Sequence, residues 1–298
     1  MVAMTPREDH VNFPLLLISI VAALLALMTT FLTARFYARA LLRHMLRWDD
    51  WVMLAAWCFI VGCSVDIWLG IQYGVGQHYW NFEWNPFLGK SFFAYTLCWY
   101  VGTGLTKISV CLGYLRLFPG RAHQWFFHAT IAFSACLALG ASIIAVFRCQ
   151  PISDAWARKS THCAPYLPVQ PIISASGAAI NATIFLWPAR FLWSLHLVPR
   201  PRRLELVILF GFGCCITFIT AFRIACDVTD LFRADQRDFF RDYAWLYMLQ
   251  TSELDLCVVC GCLPTRRPVF AKLCPCFFRK RPPPVEQLPG FTSVPSAD

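Results

Sequence analysis

Charge is what this sequence has least of. Of 298 residues only 14% are Asp, Glu, Lys or Arg, against 58% apolar and 16% aromatic, a balance that excludes an ordinary soluble domain. No polar stretch is long enough to form an independent domain, and there is no internal repeat. The first apolar block has no charged residue and no small-residue cleavage pattern, so it reads as a retained helix and not as a secretory signal.

The apolar residues instead form seven blocks: Val11–Ala34, Trp51–Tyr73, Ser91–Leu115, Trp125–Phe147, Val169–Leu192, Leu204–Cys226 and Tyr243–Leu263. Each has about 20 to 25 residues, enough to cross a hydrocarbon core of about 30 Å as a helix. The expected fold is all-α: a polytopic bundle of seven transmembrane helices over residues 11–263. A short N-terminus (1–10) precedes it, and a basic, Pro-rich, largely disordered tail (264–298) follows.

Basic residues set the expected orientation. Sixteen Lys and Arg residues fall on the turns after odd-numbered spans and in the tail, eight on the opposite side, while Lys107 and Arg223 lie inside spans. The positive-inside rule then places the N-terminus outside and the C-terminus in the cytoplasm. The formal net charge of +9 is thereby assigned to topology and anionic lipid, with no nucleic-acid partner. Aromatic residues agree: Trp48 and Trp51 mark one interface, and Tyr73, Tyr79, Trp80 and Trp84 the other.

Most of the fifteen cysteines lie in spans, where cysteine behaves as a small apolar residue. Cys149 and Cys163 differ, because they bracket an outside loop (Arg148 to Pro168) and are expected to form a disulfide. Cys274 and Cys276, just past the seventh span among basic residues, are palmitoylation candidates. No metal centre is expected, since the cysteines near the seventh span have no histidine with them and His78 has no second histidine nearby. The sequon at Asn181 falls inside the fifth span and is discounted. The other outside loops run from Gly74 to Lys90 and, mixing acidic and basic residues, from Asp227 to Asp242.

An ordered series of motifs runs through nearly the whole chain. Arg35-Phe-Tyr-Ala-Arg39 precedes Trp48-Asp49-Asp50-Trp51, and Gly74-Val-Gly76-Gln-His78 follows. Next come Thr106-Lys107-Ile-Ser109, Tyr114-Leu-Arg116-Leu-Phe118-Pro119, and Cys149-Gln-Pro151 with Trp156 and Cys163. Arg223, Glu253 and Cys262-Leu-Pro264 with Arg267-Pro268 complete it. The series resembles the fungal rhodopsin-like integral membrane family, which includes Pth-eleven-type receptors and satratoxin-cluster membrane proteins. That family usually carries an Asn and an Asp four residues apart in the fifth helix, where this chain has Gly177 and Asn181.

Single residues have physical readings of their own. Asp49 and Asp50 open the second helix, where carboxylates cap free N–H groups and Arg39, Arg43 and Arg47 are in reach. Gly74 and Gly76 permit a tight turn, and His78 reads as loop filling or ligand contact. Charges inside spans are costly and should face the bundle interior with partners. The expected polar core is Lys107 with Glu253 or Asp255, and Asp66 with Arg223. Glu253 and Asp255, two residues apart, point about 200° apart around their helix.

A retinal chromophore needs a seventh-helix lysine, and none lies between Tyr243 and Leu263, so no cofactor is expected. The resemblance implies receptor-like sensing of an external ligand, coupled to a cytoplasmic signalling partner, in the plasma membrane or an endomembrane. The alternative is an accessory protein or terpene-cyclase-like enzyme of a secondary-metabolite cluster, acting on an apolar metabolite. Asp66, Glu253 and Asp255 would then be the candidate acids. A transporter lacks the inverted repeat and interrupted helices it would need.

Overall fold

A computed structural model describes residues 13–41, 44–76, 85–117, 120–156, 162–164, 169–189, 200–232 and 239–263. His78, Pro264, Cys274 and Cys276 lie outside the described residues. Among the described residues the chain folds as seven α-helices: α1 (Phe13–Phe36), α2 (Trp48–Gln72), α3 (Pro86–Leu117), α4 (Arg121–Phe147), α5 (Val169–Ala189), α6 (Arg200–Phe232) and α7 (Phe239–Cys262). A π-helical turn, Tyr37–Leu41, continues α1, and a 3-10 helix, Ile152–Trp156, follows α4. Consecutive helices pack against one another, and α7 closes the ring on α1 while also touching α2 and α3.

Five helices (α1, α2, α4, α5 and α6) are long and apolar enough to cross a membrane. The other two are long enough but less apolar, and their position explains why. No described residue of α3 between Tyr95 and Leu115 is exposed, nor any of α7 from Leu246 to Leu263. Helices wrapped by protein can place Lys107, Gln250, Thr251, Glu253 and Asp255 against other side chains, whereas lipid-facing helices would leave such groups unsatisfied. The molecule is a multi-pass membrane protein. Trp48 and Trp125 stand 81% and 79% exposed at the bundle end that carries Arg35, where indole rings suit the lipid–water boundary.

Several helices outrun the apolar blocks that announce them. α3 begins at Pro86, five residues before Ser91, and α6 runs to Phe232, past Cys226. The apolar block measures the hydrocarbon, while the backbone ladder continues into the interface. Asp227, assigned from sequence to a loop, is therefore helical, one turn beyond Arg223.

At the far end of α2 the chain turns through a Schellman motif. Val75 N–H donates to Gly70 O at 3.0 Å and Gly74 N–H to Ile71 O at 3.1 Å. Gly74, at φ 97°, takes the left-handed position that this cap requires, and Gly76 follows at φ 91°. On the same end Cys149 and Cys163 are disulfide-bonded. Trp156 packs edge-on against Phe93, its ring centroid 5.8 Å away. Its backbone carbonyl lies so near Gly89 that a Cβ there would come within 2.5 Å. This is a seat that only glycine permits.

Candidate functional site

Two buried charge centres lie in the bundle. The first is at the Arg35 end. Arg35 Nη2 donates to Asp49 Oδ2 at 2.7 Å, its Nε to Asp50 Oδ1 at 2.8 Å and its Nη1 to Gly261 O at 2.8 Å. Arg39 Nη1 reaches Asp49 Oδ2 at 2.5 Å and Asp50 Oδ2 at 2.9 Å, and Arg116 Nη1 also pairs with Asp49. Asp50 Oδ2 accepts the N–H of Arg47 at 3.2 Å, so it caps α2 as its position suggests. Ser109 Oγ donates to Asp49 O at 2.6 Å. Every oxygen of both carboxylates is engaged, and α1, α2, α3 and α7 are tied together. Arg35 and Arg116 supply charges that sequence reasoning assigned to Arg43 and Arg47. Arg43 is outside the described residues, and Arg47 contributes its backbone.

The second centre lies deeper, among α3, α5, α6 and α7. Arg223 Nε donates to Glu253 Oε2 at 3.2 Å, and its Nη1 to Ser174 Oγ at 2.7 Å and Asp227 Oδ2 at 3.3 Å. Ser174 Oγ donates in turn to Asp227 Oδ2 at 3.0 Å, and Asn181 Nδ2 to Glu253 Oε1 at 2.7 Å. The guanidinium also lies over the Trp99 ring, 5.2 Å from its centroid. Lys107 departs from expectation. Its Nζ donates to the carbonyl of Gly177 at 3.0 Å, and no described carboxylate lies within 4.0 Å of it. Glu253 is already held by Arg223 and Asn181.

The other expected partners also separate. Asp66 accepts from Ser91 Oγ at 2.5 Å instead of meeting Arg223. Asp255, 1% exposed, has no hydrogen-bond partner on either carboxyl oxygen among the described residues. It faces away from Glu253, as a two-residue spacing on a helix requires. Ser174 and Asp227 were missed from sequence. The spacing of four between Arg223 and Asp227 was the available signal, while nothing marked Ser174.

Beside Lys107 is a cavity of about 30 Å³ lined by α3, α4 and α5, with Arg223 and Glu253 at its edge. Its α3 wall is Trp99, Tyr100, Thr103, Gly104 and Lys107, a single stripe at helical spacing. Two glycines shape the site in different ways. A Cβ on Gly104 would come within 2.5 Å of Ala138 Cβ, so α3 and α4 approach closely there. Gly177 has no side chain to fill the volume next to Lys107 Nζ. The hydroxyls of Thr103 and Ser134, which face this cavity, find no partner among the described residues.

A family model described as the fungal rhodopsin domain matches residues 34–272, more than half of the chain. The chain belongs to the fungal rhodopsin domain family. It is similar to the polyenoic acids biosynthesis gene cluster protein Ba17b of Metarhizium anisopliae, 31% identical over 188 residues, which are 60% of this chain. The match spans about half of that relative, 51% of its length. No solved structure matches the chain. Within this fungal rhodopsin domain the buried arginine–aspartate centre and the Lys107 cavity are both inside the matched residues.

Proposed function

We propose that this fungal rhodopsin domain protein is a receptor-like binder of a small metabolite, serving secondary metabolism from within the membrane. The observation that carries the reading is the Lys107 cavity, a space in the bundle core faced by polar groups whose donors are not all used. A buried polar group left without a partner costs about 1–3 kcal/mol, so a site built this way favours an occupant that supplies acceptors. The relative named for a polyenoic acids gene cluster supports a place in metabolite production. In this reading the N-terminus and the disulfide face outward, and the arginine-rich end faces the cytoplasm, in keeping with the distribution of basic residues.

An enzymatic role would draw on Asp66, Glu253 and Asp255, but these acids do not meet at the Lys107 cavity. Glu253 lines it, and Asp66 and Asp255 do not. Binding without covalent chemistry is the better fit to this geometry.

Deleting the gene and profiling metabolites tests the reading. The deletion should change the profile. The unaltered gene should restore it, and Lys107→Met and Glu253→Gln complements should fail to. An unchanged profile in the deletion strain overturns the proposal.

A further inference from the structure

The Lys107 cavity carries information about what fits it. The cavity is lined by the Lys107 ammonium and two uncommitted hydroxyls that can donate, while its one carboxylate, Glu253, is held by Arg223 and Asn181. Lys107 has three ammonium protons, of which one is committed to Gly177 O, and the Thr103 and Ser134 hydroxyls have no described partner. Lys107 is 5% and Ser134 2% exposed, so bulk water does not complete them. Thr103 and Lys107 are four residues apart on α3 and project from one face. The Lys107 ammonium, with two protons uncommitted, selects a negatively charged acceptor, and the two hydroxyls can donate to the same group.

Size narrows the occupant further. A space of about 30 Å³ holds roughly two water-sized groups and falls far short of a drug-sized ligand. A carboxylate fits, and a whole metabolite does not. The remainder of the molecule must lie outside the cavity, and the surroundings indicate where. Toward the disulfide end the space is roofed by Trp99 and Tyr100, whose hydroxyl donates to Gln170 Oε1 at 2.9 Å. Toward α6 and α7 stand Arg223 and Glu253, held in their own network. The remaining walls are apolar, formed by Leu137, Ala138 and Ala141 of α4 with Ile173 and Ile180 of α5. Among neighbouring helices of the ring, α4 and α5 meet least within the described residues, so the apolar walls of the cavity lie at the loosest seam of the bundle.

We infer that the Lys107 cavity is the head-group site for an apolar carboxylic acid that enters sideways from the bilayer between α4 and α5. Lys107, Thr103 and Ser134 hold the carboxylate, and the tail lies along the α4–α5 seam. The inference rests on the binding role proposed above and adds the ligand's chemistry and its route.

The test uses the full chain in nanodiscs of neutral phosphatidylcholine, with radiolabelled oleate as the probe. Unaltered protein should bind oleate saturably, while methyl oleate, which has the tail without the charge, competes at least about tenfold less well. Acetate, the head group without the tail, should fail to compete at equal concentration. Lys107→Met should weaken oleate binding about tenfold. Gly177→Leu, which fills the space and leaves the charge, should abolish it, so the outcome does not hinge on one variant folding. Equal competition by oleate and methyl oleate overturns the carboxylate assignment, and equal competition by acetate overturns the lateral tail. Absence of saturable binding leaves water as the occupant and overturns the inference. If oleate fails but the metabolite profile still depends on Lys107, only the ligand class is lost and the binding role stands.

Discussion

The two buried charge centres use the same residue types to different ends. Around Asp49 and Asp50, three arginines and a backbone N–H saturate both carboxylates, and a fourth helix is drawn in through Gly261 O. Around Arg223, the acids are likewise held, but Lys107 leans on a single backbone carbonyl beside open space. A saturated centre has nothing left to offer a ligand and serves to join helices. One with spare donors is less well knit and can recognise something. Position agrees with this division. The first centre sits at helix ends, by the start of α2 and the last turns of α1 and α7, and the second is buried among α3, α5, α6 and α7.

The contrast can be broken by mutation, and the largest effect belongs to the saturated centre. Asp49→Asn leaves Arg35, Arg39 and Arg116 short of a counter-charge, and breaking a buried pair on one side costs about 3–5 kcal/mol. Thermal unfolding in detergent should show a large fall in Tm or loss of the monodisperse peak; an unchanged Tm would mean the network does not hold the bundle. Next, Cys149→Ser opens a cross-link between residues 14 apart, worth about 3 kcal/mol on chain-entropy grounds. Its effect should appear as a lower Tm under non-reducing conditions that reductant does not lower further. Smaller again, Gly104→Val drives methyls into Ala138 across the α3–α4 contact, an overpacking cost of about 1–3 kcal/mol. That variant should lose stability and oleate binding together.

The smallest effect has the opposite sign. Asp255 places an unpartnered carboxyl in the interior, so Asp255→Val should raise stability by about 1 kcal/mol. A lower Tm would show that this acid has a partner in the folded protein.

Sequence made the bundle readable because lipid imposes a coarse rule: about 20 apolar residues per crossing. Seven blocks became seven helices, including α3 and α7, whose polar residues are sheltered by neighbouring helices. The ends were less legible, since the helical ladder does not stop where the hydrocarbon does, and Asp227 was placed in a loop for that reason. Pairing was harder still. Depth along a helix says which charges are level and not which way they face, so it offers Lys107 both Glu253 and Asp255. Rotation around the helices instead gave Glu253 to Arg223 and Asn181. The cavity owes its space beside Lys107 to the absent side chain at Gly177, and a missing atom leaves little trace in a sequence.

The most direct test is the thermal unfolding of Lys107→Met beside the unaltered protein, each with and without oleate. If the two centres divide the work as described, the variant unfolds within about 2–4 °C of the parent when free, a shift of roughly 1 kcal/mol. It then shows none of the upward shift that oleate gives the parent. An oleate shift retained in full by Lys107→Met would contradict the account, as would a collapse of the free variant comparable with that of Asp49→Asn.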